Sequence, residues 1–195
     1  MFRTIFLTLL TLCVAIAGGA ASLWYALENV EGLGSLEIGV WTAYPDYGTP
    51  AADPYSRARI AREAELTLGR AEGLTFSAAA DSGGRSLRRD CTYAVAGPVP
   101  ATRFWTIFAA DSAHRPLPAE TLRGSALHSY QLLRDAGGGF TITVGRNPAS
   151  GNWLPVAGAG QFRLMLTLYD TAIASSATIA DVQLPAITRI GCENA

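Results

Sequence analysis

Gln161-Phe162-Arg163-Leu164-Met165-Leu166-Thr167-Leu168-Tyr169 alternates with a period of two: Phe162, Leu164, Leu166 and Leu168 fall on one side, Arg163 and Thr167 on the other. Successive side chains of an extended chain point to opposite faces, so the run predicts a strand with one buried face. The surroundings repeat the theme. Leu74-Thr75-Phe76-Ser77 and Thr92-Tyr93-Ala94-Val95 flank the turn Asp81-Ser82-Gly83-Gly84 and a short strand around Leu87, and Arg103 to Phe108 follows with aromatic residues on both faces. His128 to Leu133 and Phe140 to Val144 flank Asp135-Ala136-Gly137-Gly138-Gly139, the composition of a hairpin. Leu184 to Ile190 predicts an edge strand, because Pro185 has no amide donor for a second neighbour.

Upstream, Leu36, Ile38 and Val40 alternate with Glu37, Gly39 and Trp41 as a further strand, and Pro45-Asp46-Tyr47-Gly48-Thr49-Pro50 is dense in turn formers. A helix starts at Asp53-Pro54, where Asp53 can accept the free first-turn amides and proline suits the first helical position. Ile60, Ala64 and Leu68 share a face with Ala61 and Ala71 beside it, Arg59 and Glu63 can pair on the wet side, and Gly73 is a suitable terminator. The arginines at 57, 59, 62 and 70 alternate with glutamates and read as a solvated face. Thr171 to Ala180 has the length of a short helix. These elements predict a mainly β (α+β) chain: an antiparallel sandwich or jelly-roll-like domain with one N-terminal amphipathic helix, preceded by a single transmembrane helix.

That transmembrane reading rests on Ile5 to Leu27, a run without a charged residue. As a helix it would span roughly 35 Å, enough for a bilayer core. Arg3 precedes it, Glu28, Glu31 and Glu37 follow, and the next basic residue is Arg57; the asymmetry keeps the N-terminus cytoplasmic. Trp24 and Tyr25 stand where the helix would leave the bilayer. The expectation is a bacterial inner-membrane protein with a single span and its C-terminal domain in the periplasm. The alternative is a signal peptide cut after Ala21, where Gly19-Ala20-Ala21 approximates a small-x-small site. Cys13 follows the bulky Leu12, which argues against lipid attachment. Ala15–Gly19 and Gly18–Ser22 have the spacing of a helix-pairing face, a pattern that is also common background in membrane segments.

Net charge is −1 and the pI about 6.1, so nothing argues for a nucleic-acid partner, which would need a basic face. In an oxidising periplasm Cys91 and Cys192 read as a disulfide, with two unpaired thiols as the alternative. His114 and His128 are the only histidines; no His-x-His, Cys-x-x-Cys or carboxylate-rich loop supplies a metal site, and no metal or cofactor is expected. There is no Gly-x-Ser-x-Gly elbow, and Gly158-Ala159-Gly160 precedes a strand rather than a phosphate-binding helix. His114, in a polar loop, reads as a surface residue; His128 could line a pocket with Tyr130. In Asn152-Trp153-Leu154-Pro155, Trp153 could stack on a ligand while Asn152 and Arg146 supply polar contacts. In the competing reading Asn152 satisfies loop backbone, Trp153 plugs the core and Pro155 fixes the path into the next strand.

Asp53-Pro54-Tyr55-Ser56-Arg57-Ala58, Arg103-Phe104-Trp105-Thr106, Asn152-Trp153-Leu154-Pro155 and Gln161-Phe162-Arg163-Leu164 followed by Leu168-Tyr169 together resemble the DUF1214 family. The resemblance covers roughly residues 70–190. It implies an antiparallel β fold of jelly-roll character and no established reaction. The family includes short membrane-anchored alphaproteobacterial proteins, whose anchor and helix the upstream residues match, and longer DUF1254/DUF1214 proteins. The chain is thus expected to divide into an anchor at 1–27, a linker and first strand at 28–52, and a DUF1214-like periplasmic domain at 53–195. The preferred role is a non-enzymatic envelope module that binds a protein or small-molecule partner. The alternative is an enzyme or enzyme accessory with a site formed by Arg146, Asn152, Trp153 and His128.

Overall fold

The computed structural model describes residues 1–29, 34–63, 67–69, 71–118, 124–171, 173 and 182–193. Helix α1 (Phe2–Asn29) is followed by strands β1 (Leu36–Ile38) and β2 (Trp41–Ala43), helix α2 (Pro54–Glu63), and strands β3 (Gly73–Ala78), β4 (Cys91–Ala96), β5 (Thr102–Ala110), β6 (Ala126–His128), β7 (Thr141–Gly145), β8 (Asn152–Pro155), β9 (Arg163–Thr171) and β10 (Ala186–Cys192). Six strands form one antiparallel sheet in the order β1-β2-β3-β9-β5-β6, and four form a second in the order β10-β4-β7-β8.

The expected strand at 161–169 is β9, central in the larger sheet between β3 and β5. Leu164, Leu166 and Leu168 are almost wholly buried against the second sheet's Tyr93, Val95, Ile142, Val144, Leu154 and Ile187 in one shared core. Thr167 on the other face is also buried, and its Oγ1 lies 3.1 Å from that of Thr75 on β3. The mainly β architecture thus follows from one periodic run with a neighbour on each side.

Several elements differ from the sequence reading. Leu36 to Val40 is not one strand: the chain reverses at Gly39-Val40, pairing Ile38 with Trp41, and Gly39 supplies the positive φ (62°) that a two-residue hairpin needs. Asp53 does cap α2, its Oδ1 accepting the amides of Tyr55 (2.9 Å) and Ser56 (3.1 Å), but α2 is described to Glu63 and residues 67–69 are not helical. Gly73 is therefore no helix terminator. It opens β3, where a Cβ would meet the Leu168 carbonyl oxygen at 2.2 Å, so glycine is what lets β3 approach β9. The side chains of Arg59 and Glu63 and the helix at 171–180, Thr171 and Ile173 excepted, lie outside what the structure describes.

The largest correction concerns His128 to Val144. β6 pairs with β5 and β7 with β4, so the two flanks of Asp135–Gly139 belong to different sheets and form no hairpin. The antiparallel rule also has one exception, since β7 and β8 run parallel. Parallel neighbours commonly need a crossover of a dozen or more residues. Here the paired strands are so short that residues 146–151 suffice for the return.

Helix α1 is long and apolar enough to cross a bilayer, with Phe2–Ala26 at a mean hydropathy of 2.1 and none of that window buried against the rest of the chain. It is compatible with a membrane anchor or a signal peptide. Cys91 and Cys192 form a disulfide across β4 and β10, where they are register partners.

Candidate functional site

Asp81-Ser82-Gly83-Gly84-Arg85, Asp111-Ser112-Ala113-His114-Arg115 and Asp135-Ala136-Gly137-Gly138-Gly139 fold into the same turn. In each, the aspartate amide donates to the carbonyl four residues on (2.8, 2.9 and 3.0 Å), while its Oδ1 accepts the amides two and four residues on. The fourth residue takes positive φ: Gly84 at 79°, His114 at 59° and Gly138 at 79°. Histidine is among the non-glycine residues that tolerate this region, so His114 is held in place as a turn residue. In the first two turns the closing arginine donates Nε to the aspartate's Oδ2, at 3.1 and 3.0 Å. The third has Gly139 there, and a Cβ at that position would lie 2.7 Å from Asp135 Oδ2. Asp135 therefore keeps its turn but has no guanidinium on its outer oxygen.

This third turn borders the largest described cavity, a cleft of about 900 Å³ at one end of the sandwich. Residues 97–101, the start of β5, Ser129-Tyr130 and the stretch from Arg134 to Thr141 line it. Tyr130 is exposed; its hydroxyl donates to the Arg103 carbonyl (3.0 Å) and its ring centroid lies 5.4 Å from that of Phe104. Trp105 is 4% exposed and packs on Phe140, centroids 5.2 Å apart, while the Arg134 guanidinium carbon stands 5.8 Å from the Phe140 centroid. Trp41 donates its indole N–H to the Pro185 carbonyl at 2.8 Å and Trp153 to the Gly145 carbonyl at 3.0 Å. Trp105, alone of these three indoles, has no acceptor among the described residues; its Nε1 is not among the buried unpaired atoms, in keeping with its place in the cleft wall.

The residues singled out from the sequence do not converge on this cleft. Tyr130 lines it; Asn152 and Trp153 line a separate groove of about 520 Å³ between β6 and β8; His128 and Arg146 line neither. Asn152 is fully committed to backbone, accepting the Leu133 amide at 2.7 Å and donating to the carbonyls of Leu133 (2.8 Å) and Thr141 (3.0 Å). Trp153 is 6% exposed. Arg146 donates to the Gly158 carbonyl at 2.7 Å and stands 3.8 Å from Glu193. His128 lies on the outer face of the larger sheet beside Phe104, with Nδ1 buried and unpaired among the described residues. Asn152→Ala should accordingly cost about 1–3 kcal/mol of stability in urea unfolding. A stability change under about 0.5 kcal/mol would return Asn152 to the ligand-contact role.

Sequence reasoning passed over Trp105, Arg103, Arg134 and Asp135 as a group because they come from two segments about 30 residues apart. One signal was available: of three Asp-x-x-x-x turns, only the third lacks a closing arginine. The carboxylates held below their ordinary range are all tied to local structure. Asp53 is lowered chiefly by the Ser56 hydroxyl and Asp90 by Arg88. For Asp81 and Asp111 burial pushes upward, but the Arg85 and Arg115 amides and side chains outweigh it. Among the described residues no group of three or more His, Cys, Asp and Glu could hold a metal ion.

A search of the curated proteins finds no match. Among solved structures, the VPA0106 protein from Vibrio parahaemolyticus aligns with a TM-score of 0.60 at 19% identity, over 91% of this chain and 44% of that one. An uncharacterized protein from Burkholderia cenocepacia aligns with a TM-score of 0.43 at 16% identity, over 94% of this chain and 51% of that one. The chain thus spans about half the length of these solved chains or less, and the first of them supports the sheet-rich fold. The family model described as "Protein of unknown function (DUF1214)" matches residues 72–173, just over half of the chain, from the first residues of β3 to the end of β9. With the paired sheets that those residues build, this places the chain in the DUF1214 family.

Proposed function

We propose that the protein is a ligand-binding module of the bacterial envelope, held by α1 at the periplasmic face of the inner membrane, with the 900 Å³ cleft as its binding site. The cleft carries the reading: it combines aromatic surface with donors left unused by the fold, the pattern of a small-molecule site. The groove at Asn152 and Trp153 has less to offer, because the polar atoms of both side chains are already bonded. The Cys91–Cys192 bond and the charge asymmetry around α1 support the periplasmic placement.

A fragment screen by saturation-transfer NMR on the full chain in nanodiscs tests the site. Fragments that bind should lose their signal with Ala101→Trp, which plugs the cleft at an exposed lining position, and keep it with Ser150→Trp on an exposed loop elsewhere. Hits indifferent to Ala101→Trp would place binding outside the cleft. For placement, trypsin added to spheroplasts should digest the sheet domain, with the undigested protein running at its full 20.6 kDa. Protection from trypsin would reverse the orientation, and a product shortened by about 20 residues would replace the anchor with a cleaved signal.

A further inference from the structure

We infer that the cleft selects a monoanionic carboxylate carried on a flat apolar body; this rests on the reading of the cleft as the binding site. The unused polar groups at the cleft are mostly donors. The Arg103 side chain makes no bond to other described residues, Arg134 uses only Nη1, on the Gly138 carbonyl (2.9 Å), and Trp105 adds its unpaired indole N–H. Against these stands one carboxylate, Asp135, whose Oδ1 is consumed by the amides of Gly137 and Gly139. Two guanidiniums and one carboxylate leave the lining with one net positive charge, which matches a monoanion better than a dianion.

Guanidinium forks suit the planar, two-oxygen face of a carboxylate, and an indole N–H can donate to one of those oxygens. The body of the ligand is set by the other walls. Tyr130 presents an exposed ring fixed through its hydroxyl, Phe140 lies beneath Arg134 and packs at a tilt on Trp105, and Pro98 and Pro100 add rigid apolar surface. A flat ring or conjugated chain can lie against these surfaces with little loss of side-chain entropy. Gly139 contributes indirectly. An arginine there, as at Arg85 and Arg115, would neutralise the outer oxygen of Asp135 and raise the net charge of the cleft.

The test uses the full chain in nanodiscs labelled with ¹⁵N-tryptophan, the Trp105 indole signal being assigned with Trp105→Phe. Benzoate and 2-naphthoate should move that signal saturably, leave those of Trp41 and Trp153 in place, and bind at least tenfold more tightly than benzamide and 2-naphthamide. Arg103→Gln and Arg134→Gln should each weaken the carboxylates about tenfold and the amides little. Equal affinity for carboxylate and amide would overturn the ligand class while leaving the cleft as the binding site. Shifts at Trp41 or Trp153 alone, or none with any probe, would overturn both.

Discussion

Replacing Asp81 by alanine should remove about 3–5 kcal/mol of folding stability, among the largest losses available from a single polar side chain in this chain. Asp81 is 1% exposed and accepts from three donors, the amides of Gly83 and Arg85 and the Arg85 Nε at 3.1 Å, while Arg189 Nε stands 3.0 Å from Oδ2 as an ion pair without hydrogen-bond geometry. Arg85 is largely in solvent, but Arg189 is 14% exposed, with its guanidinium carbon 5.4 Å from the centroid of the buried Tyr93 ring. Removing the carboxylate leaves that guanidinium with the Ser86 carbonyl on Nη2 (2.6 Å) but no counter-charge paired with it, and the loss is dominated by this desolvated charge. Asp81→Asn should cost nearly as much, because the amide keeps the turn acceptor but cannot neutralise Arg189. Asp111 is the control that nature supplies: the same turn with the same closing arginine, but 26% exposed and with no second guanidinium among its bonds to described residues. Asp111→Ala should cost only about 1 kcal/mol. Urea unfolding of the full chain in detergent checks the pair, and equal losses would show that the turn, not the buried charge, carries the energy.

The same carboxylates set the acid limit. Asp53, Asp81, Asp90 and Asp111 all sit below the ordinary value of 3.8 in the folded chain. Lowered folded values mean that the unfolded chain takes up protons first as pH falls. Their stabilisation is therefore complete above about pH 5 and is lost as pH drops through 3.8 and below. Thermal midpoints should be flat from neutrality to about pH 5, then fall, and the fall should be shallower in Asp81→Asn.

The strands were legible where one face is wholly apolar, as in β9; its second face, which includes Met165, is also largely buried, and alternation alone did not show that. β4 and β7 were equally clear, yet their partners were not. Glycine-rich Asp135–Gly139 reads as a hairpin because local composition reports that the chain turns, not where it goes next. The turn is real; its flanks diverge because β6 finds β5 and β7 finds β4. The helix at 53 was over-extended for a related reason: an alanine-rich face fits helical spacing, but its continuation to Gly73 lost to the pairing of β3 with β9. The Asn152-Trp153 motif drew notice as chemistry and serves as architecture, since an asparagine bonded to Leu133 and Thr141 looks in sequence like one facing a ligand. The cleft was illegible because its residues are far apart along the chain, and only the fold reveals that Trp105 lacks the acceptor that Trp41 and Trp153 have.

Breaking the Cys91–Cys192 bond should lower stability by up to about 4.7 kcal/mol, the chain-entropy value for a loop of roughly 100 residues, in keeping with the separation of 101. For a chain of this size that corresponds to a fall of about 10–20 °C in the thermal midpoint. The exposed Cys192→Ser variant and the wild type reduced with a phosphine should agree. The fold should survive, because β10 has other ties: its ladder to β4, the Ile187 amide on Ser82 Oγ (2.9 Å), the Ser82 amide on the Ile187 carbonyl (2.8 Å), the Glu193 amide on the Asp90 carbonyl (2.8 Å), and Arg189 on Asp81. The cross-link acts on the unfolded chain by restricting it, whereas Asp81 acts on the folded chain by neutralising Arg189. Their losses in Asp81→Ala/Cys192→Ser should therefore add to within about 0.5 kcal/mol. A double variant markedly more stable than that sum would mean that both changes release the same strand, and that the sulfur bridge works as a native-state clamp on β10 rather than through chain entropy.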